Sequence, residues 1–178
     1  MTSKHNGSNA IVCMMTHYMA WANEIMLNSV LEIPNDEIIK PRQALFGNIA
    51  HTFNHILVIE KVFQAHLEGQ PHNFTSRNTD ETPPFQKIKE ELQQLDQYFV
   101  KLSKSLSDTE LNENIKFDFI GGGNGNMTRM EIFLHLANHA TYHRGFVSDM
   151  LSQVPHMCSS SDLTIFLRDA WSAGQYET

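Results

Sequence analysis

The chain is poor in cysteine, short of basic residues relative to acidic ones, and has no long apolar run. Cys13 and Cys158 are the only two cysteines in 178 residues and stand far apart. That spacing excludes a disulfide framework and makes a reducing, cytoplasmic setting the expectation. Thirteen lysines and arginines against 20 aspartates and glutamates give a formal net charge of −7, and the basic residues form no run. Nothing in that distribution can track a phosphate backbone, so no nucleic-acid partner is expected. No apolar stretch approaches the ~20 residues that cross a bilayer. The opening Met1-Thr-Ser-Lys-His-Asn-Gly is polar and lacks the apolar core of a secretory signal. No membrane association is therefore expected.

What is present is enough apolar material to fold. Hydrophobic residues make up 41% of the chain, which argues against disorder over most of its length. The length suits one ordinary domain with a substantial core, taken as residues 1–178. Proline and glycine punctuate long helical patterns. A first helix is predicted from about Ser8 to Leu31, capped by Ser8 or Asn9. Its inner stripe is Ile11, Met15, Tyr18, Ala22, Ile25, Met26 and Ser29, and His17 and Glu24 fall on outer or flanking faces. Pro34 and Asn35 break it. A second helix is predicted from about Gln43 to Leu67, with Leu45, Ile49, Phe53, Ile56, Val62 and Phe63 among its apolar positions; Gly69-Gln-Pro71 ends it. His72 to Thr82 is polar and reads as a long surface loop, the most mobile part expected. A third helix starts near Pro83-Pro84 and runs to about Leu106. It presents Phe85, Ile88, Leu92, Leu95, Phe99 and Leu102 on one face, places Asp96 with the polar residues opposite, and reads as a packing wall.

Between Asn114 and Asn126 the character changes. Ile115, Phe117 and Phe119 alternate with Lys116 and Asp118, a short strand pattern. Gly121-Gly-Gly-Asn-Gly-Asn126 follows. It lacks the Gly-Lys-Ser/Thr ending of a phosphate-binding loop and no βαβ unit surrounds it, so it reads as a flexible turn. A fourth helix begins at Thr128-Arg-Met-Glu131, a capping-box pattern, and runs to about Gln153. A short final helix is predicted over about Ser161 to Trp171, capped by Ser160 or Ser161.

The chemistry lies in the histidines, ten in all. His135, His139 and His143 recur at steps of four on the fourth helix, and His51 and His55 stand four apart on the second. A step of four returns to nearly the same helix face, roughly 6 Å further along, so two imidazoles can converge on one ion. Imidazole nitrogen suits zinc, nickel, iron or manganese. Three protein ligands leave a coordination position for water or substrate, whereas a fourth would close the site. A metal there lowers the pKa of a bound water or thiol. Spacing alone leaves open which of His51 and His55, and which of His135, His139 and His143, would be ligands. His5, His17, His66, His72 and His156 read as structural. Ligating histidines must be neutral, so metal affinity is expected to fall as pH drops through about 6.5.

Four stretches of sequence point the same way. Asn54-His55-Ile-Leu-Val-Ile-Glu60-Lys-Val-Phe63 with Gly69 resembles the second-helix motif of the DinB/YfiT-like proteins. Asn138-His139-Ala-Thr-Tyr-His143-Arg144-Gly145 resembles that family's most specific motif. Tyr18-Met-Ala-Trp21-Ala22-Asn23 is similar to its first-helix signature, and Asp162-Leu-Thr-Ile-Phe-Leu-Arg168 to its ending. The resemblance implies an all-α, up-down-down-up four-helix bundle with a short extra C-terminal helix. It implies a three-histidine metal site of His55, His139 and His143, with His51 and His135 in the surrounding cavity as candidate proton relays. It also implies zinc or nickel as the metal, a homodimer, and, in some relatives, transfer or isomerisation with low-molecular-weight thiols. The chain departs from the family pattern at Phe146, where Gln is usual, at Glu60, where Asp is common, and at Phe63, where Trp is common. Glu60 lies about 140° round its helix from His55, and Arg144 is one step off the ligand face; a Glu60–Arg144 pair across the two helices is expected to fix ligand register. Two functions follow: a metal-dependent enzyme acting on a small thiol conjugate or a hydrolysable bond, or a non-catalytic stress-response or binding module that a metal stabilises.

Overall fold

The computed structural model describes residues 7–155 and 159–172; His5, His156 and Cys158 lie outside them. Four long helices form the body: α1 (Ser8–Leu31), α3 (Ile49–Glu68), α4 (Phe85–Ser105) and α6 (Arg129–Ser152), with short helices α2 (Asn35–Ile39) and α5 (Asp108–Leu111) between them. A hairpin of β1 (Asn114–Asp118) and β2 (Asn124–Thr128) precedes α6, and α7 (Leu163–Phe166) runs into a wider π-helical turn, Leu167–Trp171.

Side-chain pairs fix the directions. Asn9 reaches the carbonyls of Ser103 and Leu106, and Lys89 reaches Asn28, so α1 and α4 are antiparallel. Phe53 meets Phe85 and Lys61 pairs with Glu91, so α3 and α4 are parallel. His55 meets His139 while Phe63 meets His135, so α3 and α6 are antiparallel. The result is the up-down-down-up bundle. Phe53, Phe99, Phe133, Leu27, Ile56 and Leu92 are among the side chains that fill its centre.

Local chemistry sets the ends. The capping box before α6 forms: Thr128 Oγ1 accepts from Glu131 N–H at 3.1 Å, and Glu131 accepts from Thr128 N–H at 2.7 Å. Helix α3 starts at Ile49, six residues later than the periodicity predicts. Gly47, at φ 75°, turns the chain, and the Asn48 side chain accepts from His51 N–H at 2.7 Å. Leu45 is therefore outside the helix and 58% exposed. Gly69 ends α3 in the left-handed region at φ 65°. The cap of α1 is Gly7, not a side chain, because Asn9 is turned toward α4.

Several faces differ from the sequence reading. Ile11 is exposed, whereas His17 is buried, its Nδ1 2.6 Å from the Cys13 carbonyl oxygen and its ring 5.5 Å from Trp171. The C-terminal segment covers that side of α1, with Phe166 packed against Tyr18 and Trp21. That last helix starts after Asp162; Ser160 donates to the Asp162 carboxylate and caps nothing. Asp96 is buried, so α4 is more than an apolar wall. The segment 72–82 is tied down: Asn54 donates to Asn78 and Thr79, and His51 Nδ1 lies 2.8 Å from Thr82 Oγ1. Gly121, Gly122 and Gly123 all have positive φ in the hairpin turn, and a strand separates them from α6, so no cradle forms at that helix N-terminus.

Candidate metal centre

The antiparallel pairing of α3 and α6 brings His55, His139 and His143 together. Taking one ring nitrogen from each, the three lie within 4.8 Å of one another. The Nε2 atoms of His55 and His139 are 3.1 Å apart. Two nitrogens on a tetrahedral ion at ~2.0–2.1 Å would stand about 3.3 Å apart, so this separation matches a shared ion closely. His55 Nδ1 lies 2.8 Å from the Arg77 carbonyl oxygen, to which its N–H donates. That bond sets the tautomer and leaves Nε2 a bare lone pair directed at His139. The ring of Phe46 stacks on His55 with centroids 4.3 Å apart and holds its orientation. The Nδ1 atoms of His139 and His143 are buried and lack a hydrogen-bond partner.

Among the described residues no carboxylate joins the three rings, and the electrostatics keep them neutral. Burial pushes His139 down to about 2, helped by His143, His55 and His135. Burial and His55 push His143 down to about 4. His55 is lowered by burial, against the opposing bond to Arg77. Three neutral imidazoles with converging nitrogens form a donor set for a divalent metal without first having to lose protons.

The histidines line the floor of a cavity of about 520 Å³. Phe46, Ile59, Val62, Phe63 and Phe117 line its apolar wall, and its rim carries the exposed Leu45, Phe119 and Tyr142. His135 lines this cavity, with its ring centroid 5.6 Å from that of His139. His51 is not among the lining residues; its ring nitrogen is bonded to Thr82. Of the two relay candidates, only His135 faces the space where a substrate would sit.

Sequence reasoning passed over the aromatic wall. Phe117 points inward because β1 alternates, with Phe117 its one buried residue. At Gly125, paired with Phe117 across the hairpin, a Cβ would fall 2.3 Å from the Phe117 ring, so glycine alone leaves room for that ring. His66, expected to be structural, stacks on Phe117 with centroids 4.6 Å apart and also lines the cavity.

Elsewhere in the bundle is a buried polar layer with one residue from each long helix: Asn23, Glu60, Asp96 and Arg144. The expected direct Glu60–Arg144 pair is absent. Arg144 donates to Asn23 Oδ1 at 2.7 Å and to Thr141 at 2.8 Å, and Asn23 Nδ2 donates to Asp96 at 3.0 Å. Both Glu60 oxygens are buried without a hydrogen-bond partner. Burial, then the Asp96 charge, holds the Glu60 carboxyl well above the usual range, with Arg144 and the nearby Asn23 amide opposing. Asp96 is pushed up to about 7 by burial, against its bond to Asn23 and the charge of Arg144. One guanidinium cannot balance two buried carboxylates, so Glu60 is the one that keeps its proton.

Comparison with known proteins agrees with this architecture. The chain is 23% identical over 159 residues to Protein DinB of Bacillus subtilis (strain 168), an alignment covering 84% of this chain and 90% of that one. A crystal structure of a DinB-like protein from Bacillus cereus ATCC 10987 superposes with a TM-score of 0.62 at 15% identity, covering 82% of this chain and 94% of the other. The model of the DinB family matches residues 1–175, and on that match, with the bundle and the histidine cluster in place, the chain belongs to the DinB family.

Proposed function

We propose that this protein is a divalent-metal enzyme that acts on a small molecule, most simply a low-molecular-weight thiol or its conjugate, with hydrolysis of a small ester or amide as the related alternative. The observation that carries this reading is the three-histidine cluster on the floor of an apolar cavity open to solvent. His55, His139 and His143 would hold the ion, with zinc or nickel suited to imidazole donors. The metal supplies Lewis acidity and lowers the pKa of a thiol or water placed next to it. The chain supplies the rest. Arg77 and Phe46 orient His55, the aromatic wall excludes bulk water, and His135, which lines the cavity, would accept or return a proton. A cytoplasmic homodimer is part of the proposal and rests on the resemblance noted from the sequence.

The test is elemental analysis of the purified chain beside His139→Ala. About one metal per wild-type chain, lost in the variant, is the result expected of three converging ligands. The loaded protein should then turn over a thiol plus an electrophile, or a hydrolysable ester, and His139→Ala should not. Metal that stays bound in the variant would sink the ligand assignment. Stoichiometric metal that only raises the melting temperature, with no turnover of either class, would favour the non-catalytic module.

A further inference from the structure

A second cavity, of about 440 Å³, adjoins the first. The two share His66, Asp118, Phe119 and Ile120 along their boundary. Chemistry changes abruptly across it. On the metal side His66 stacks on Phe117; on the far side His72 stands edge-on to His66, with centroids 5.2 Å apart. Beyond that pair the lining includes Gln70, His72 and Thr75. His72 Nδ1 is buried and has no hydrogen-bond partner, although a buried ring nitrogen ordinarily finds one. The charge is one-sided as well. Among the described residues no lysine or arginine lines this second chamber, Arg77 lining only the first, and its one charged side chain is Asp118, which accepts from the Asn124 amide at 2.7 Å. An anionic group placed there would meet a carboxylate with no cation in the same chamber to offset it. A hydroxyl, an amide or an ammonium would be accommodated.

We propose that the ligand of this protein is a two-part molecule: an aryl or branched-alkyl group in the chamber beside the three histidines, and an uncharged or cationic hydrogen-bonding head in the polar chamber, contacted by the His72 ring and Asp118. This deepens the proposed function and rests on that reading for where reaction would occur, but the discrimination among heads needs no metal. A phosphorylated or carboxylate-headed substrate is disfavoured.

The test uses three probes with one aryl tail and different heads: phenylbutanol, phenylbutylamine and phenylbutyrate. Each is titrated calorimetrically into the full chain after dialysis against EDTA, so that no ion can favour the carboxylate. The alcohol and the amine should saturate at about one per chain, and the butyrate should bind at least about tenfold more weakly. Asp118→Asn should narrow the amine–butyrate gap. His72→Phe should weaken the alcohol. Phe117→Ala should weaken all three, with far-UV circular dichroism checking that the fold is retained. Butyrate binding as tightly as the alcohol, no saturable binding of any probe, or indifference to both Asp118→Asn and His72→Phe would overturn the proposal. Because metal content is read separately, a metal-free protein that still ranks the probes this way would sink the metal reading alone.

Discussion

Replacing Glu60 with glutamine should stabilise the fold, by an amount that grows with pH. The Glu60 side chain is fully buried, has no hydrogen-bond partner, and sits in a layer where one arginine already faces Asp96. Its folded pKa is raised, so the folded protein keeps a proton that the unfolded chain releases above about 4.3. The stability this proton gives is fully present below that value and is lost as pH rises toward the folded pKa. Each extra proton held by the folded state costs ~1.4 kcal/mol per pH unit over that window. The loss at this one group therefore accumulates with each pH unit for as long as the folded carboxyl keeps its proton. Glutamine has nearly the same shape and does not titrate. The histidines, whose lowered pKa values give a slope of opposite sign, are common to both proteins and cancel in the difference. The assay is urea unfolding followed by far-UV circular dichroism in EDTA, at pH 5, 6, 7 and 8. The stability gap, variant minus wild type, should widen as pH rises from 5, at a slope of up to ~1.4 kcal/mol per unit, with unchanged m-values. A gap that stays flat across this range would refute the reasoning, since it would mean that Glu60 is ionised in the fold and paired with Arg144.

Other predictions are more local. Zinc should stay bound below the ordinary histidine range, because burial holds His139 and His143 at about 2 and about 4; equilibrium dialysis should place half-loss well under pH 6.5, and half-loss at 6.5 would show that the site is solvated. Gly125→Ala should destabilise by ~1–3 kcal/mol, because the added methyl would overlap the Phe117 ring, and should shift probe affinity for the cavity; an unchanged urea midpoint would mean that the ring moves freely. Asn48→Ala should cost ~1 kcal/mol through loss of the cap on α3, measured in the same urea assay, whereas Asn48→Gly should cost only a few tenths.

Much of this was legible from local signals. The ends of α1, the capping box at Thr128, the glycine stop at Gly69 and the strand alternation at Phe117 are each written within a few neighbouring residues. The histidine spacing marked the two helices that meet, and the structure brings together the three rings that the family resemblance singled out. Contacts between distant segments were harder to read. Gln43 to Asn48 carries a helix-like pattern, but the turn at Gly47 and the Asn48 cap delay the helix. His17 sits on a polar-looking face that the C-terminal segment covers. Asp96 lies among charged neighbours on α4, and only the bundle reveals that it points at Asn23. Burial that moves the histidines well below their usual range likewise depends on packing and cannot be read from spacing.

The parallel run of α3 and α4 has a consequence for how such a protein can change. After α3 the chain must travel back about 30 Å, the length of a 20-residue helix, before α4 can begin. That return passes over the histidines: its Arg77 carbonyl holds His55, and its residues 70–75 help wall the polar chamber. The segment that topology makes unavoidable thus also helps to shape the polar chamber. Its side chains are mostly solvent-facing and contribute little to the core. Substitutions there could retune ligand choice at small cost in stability, leaving the four helices and their histidines as a constant chassis.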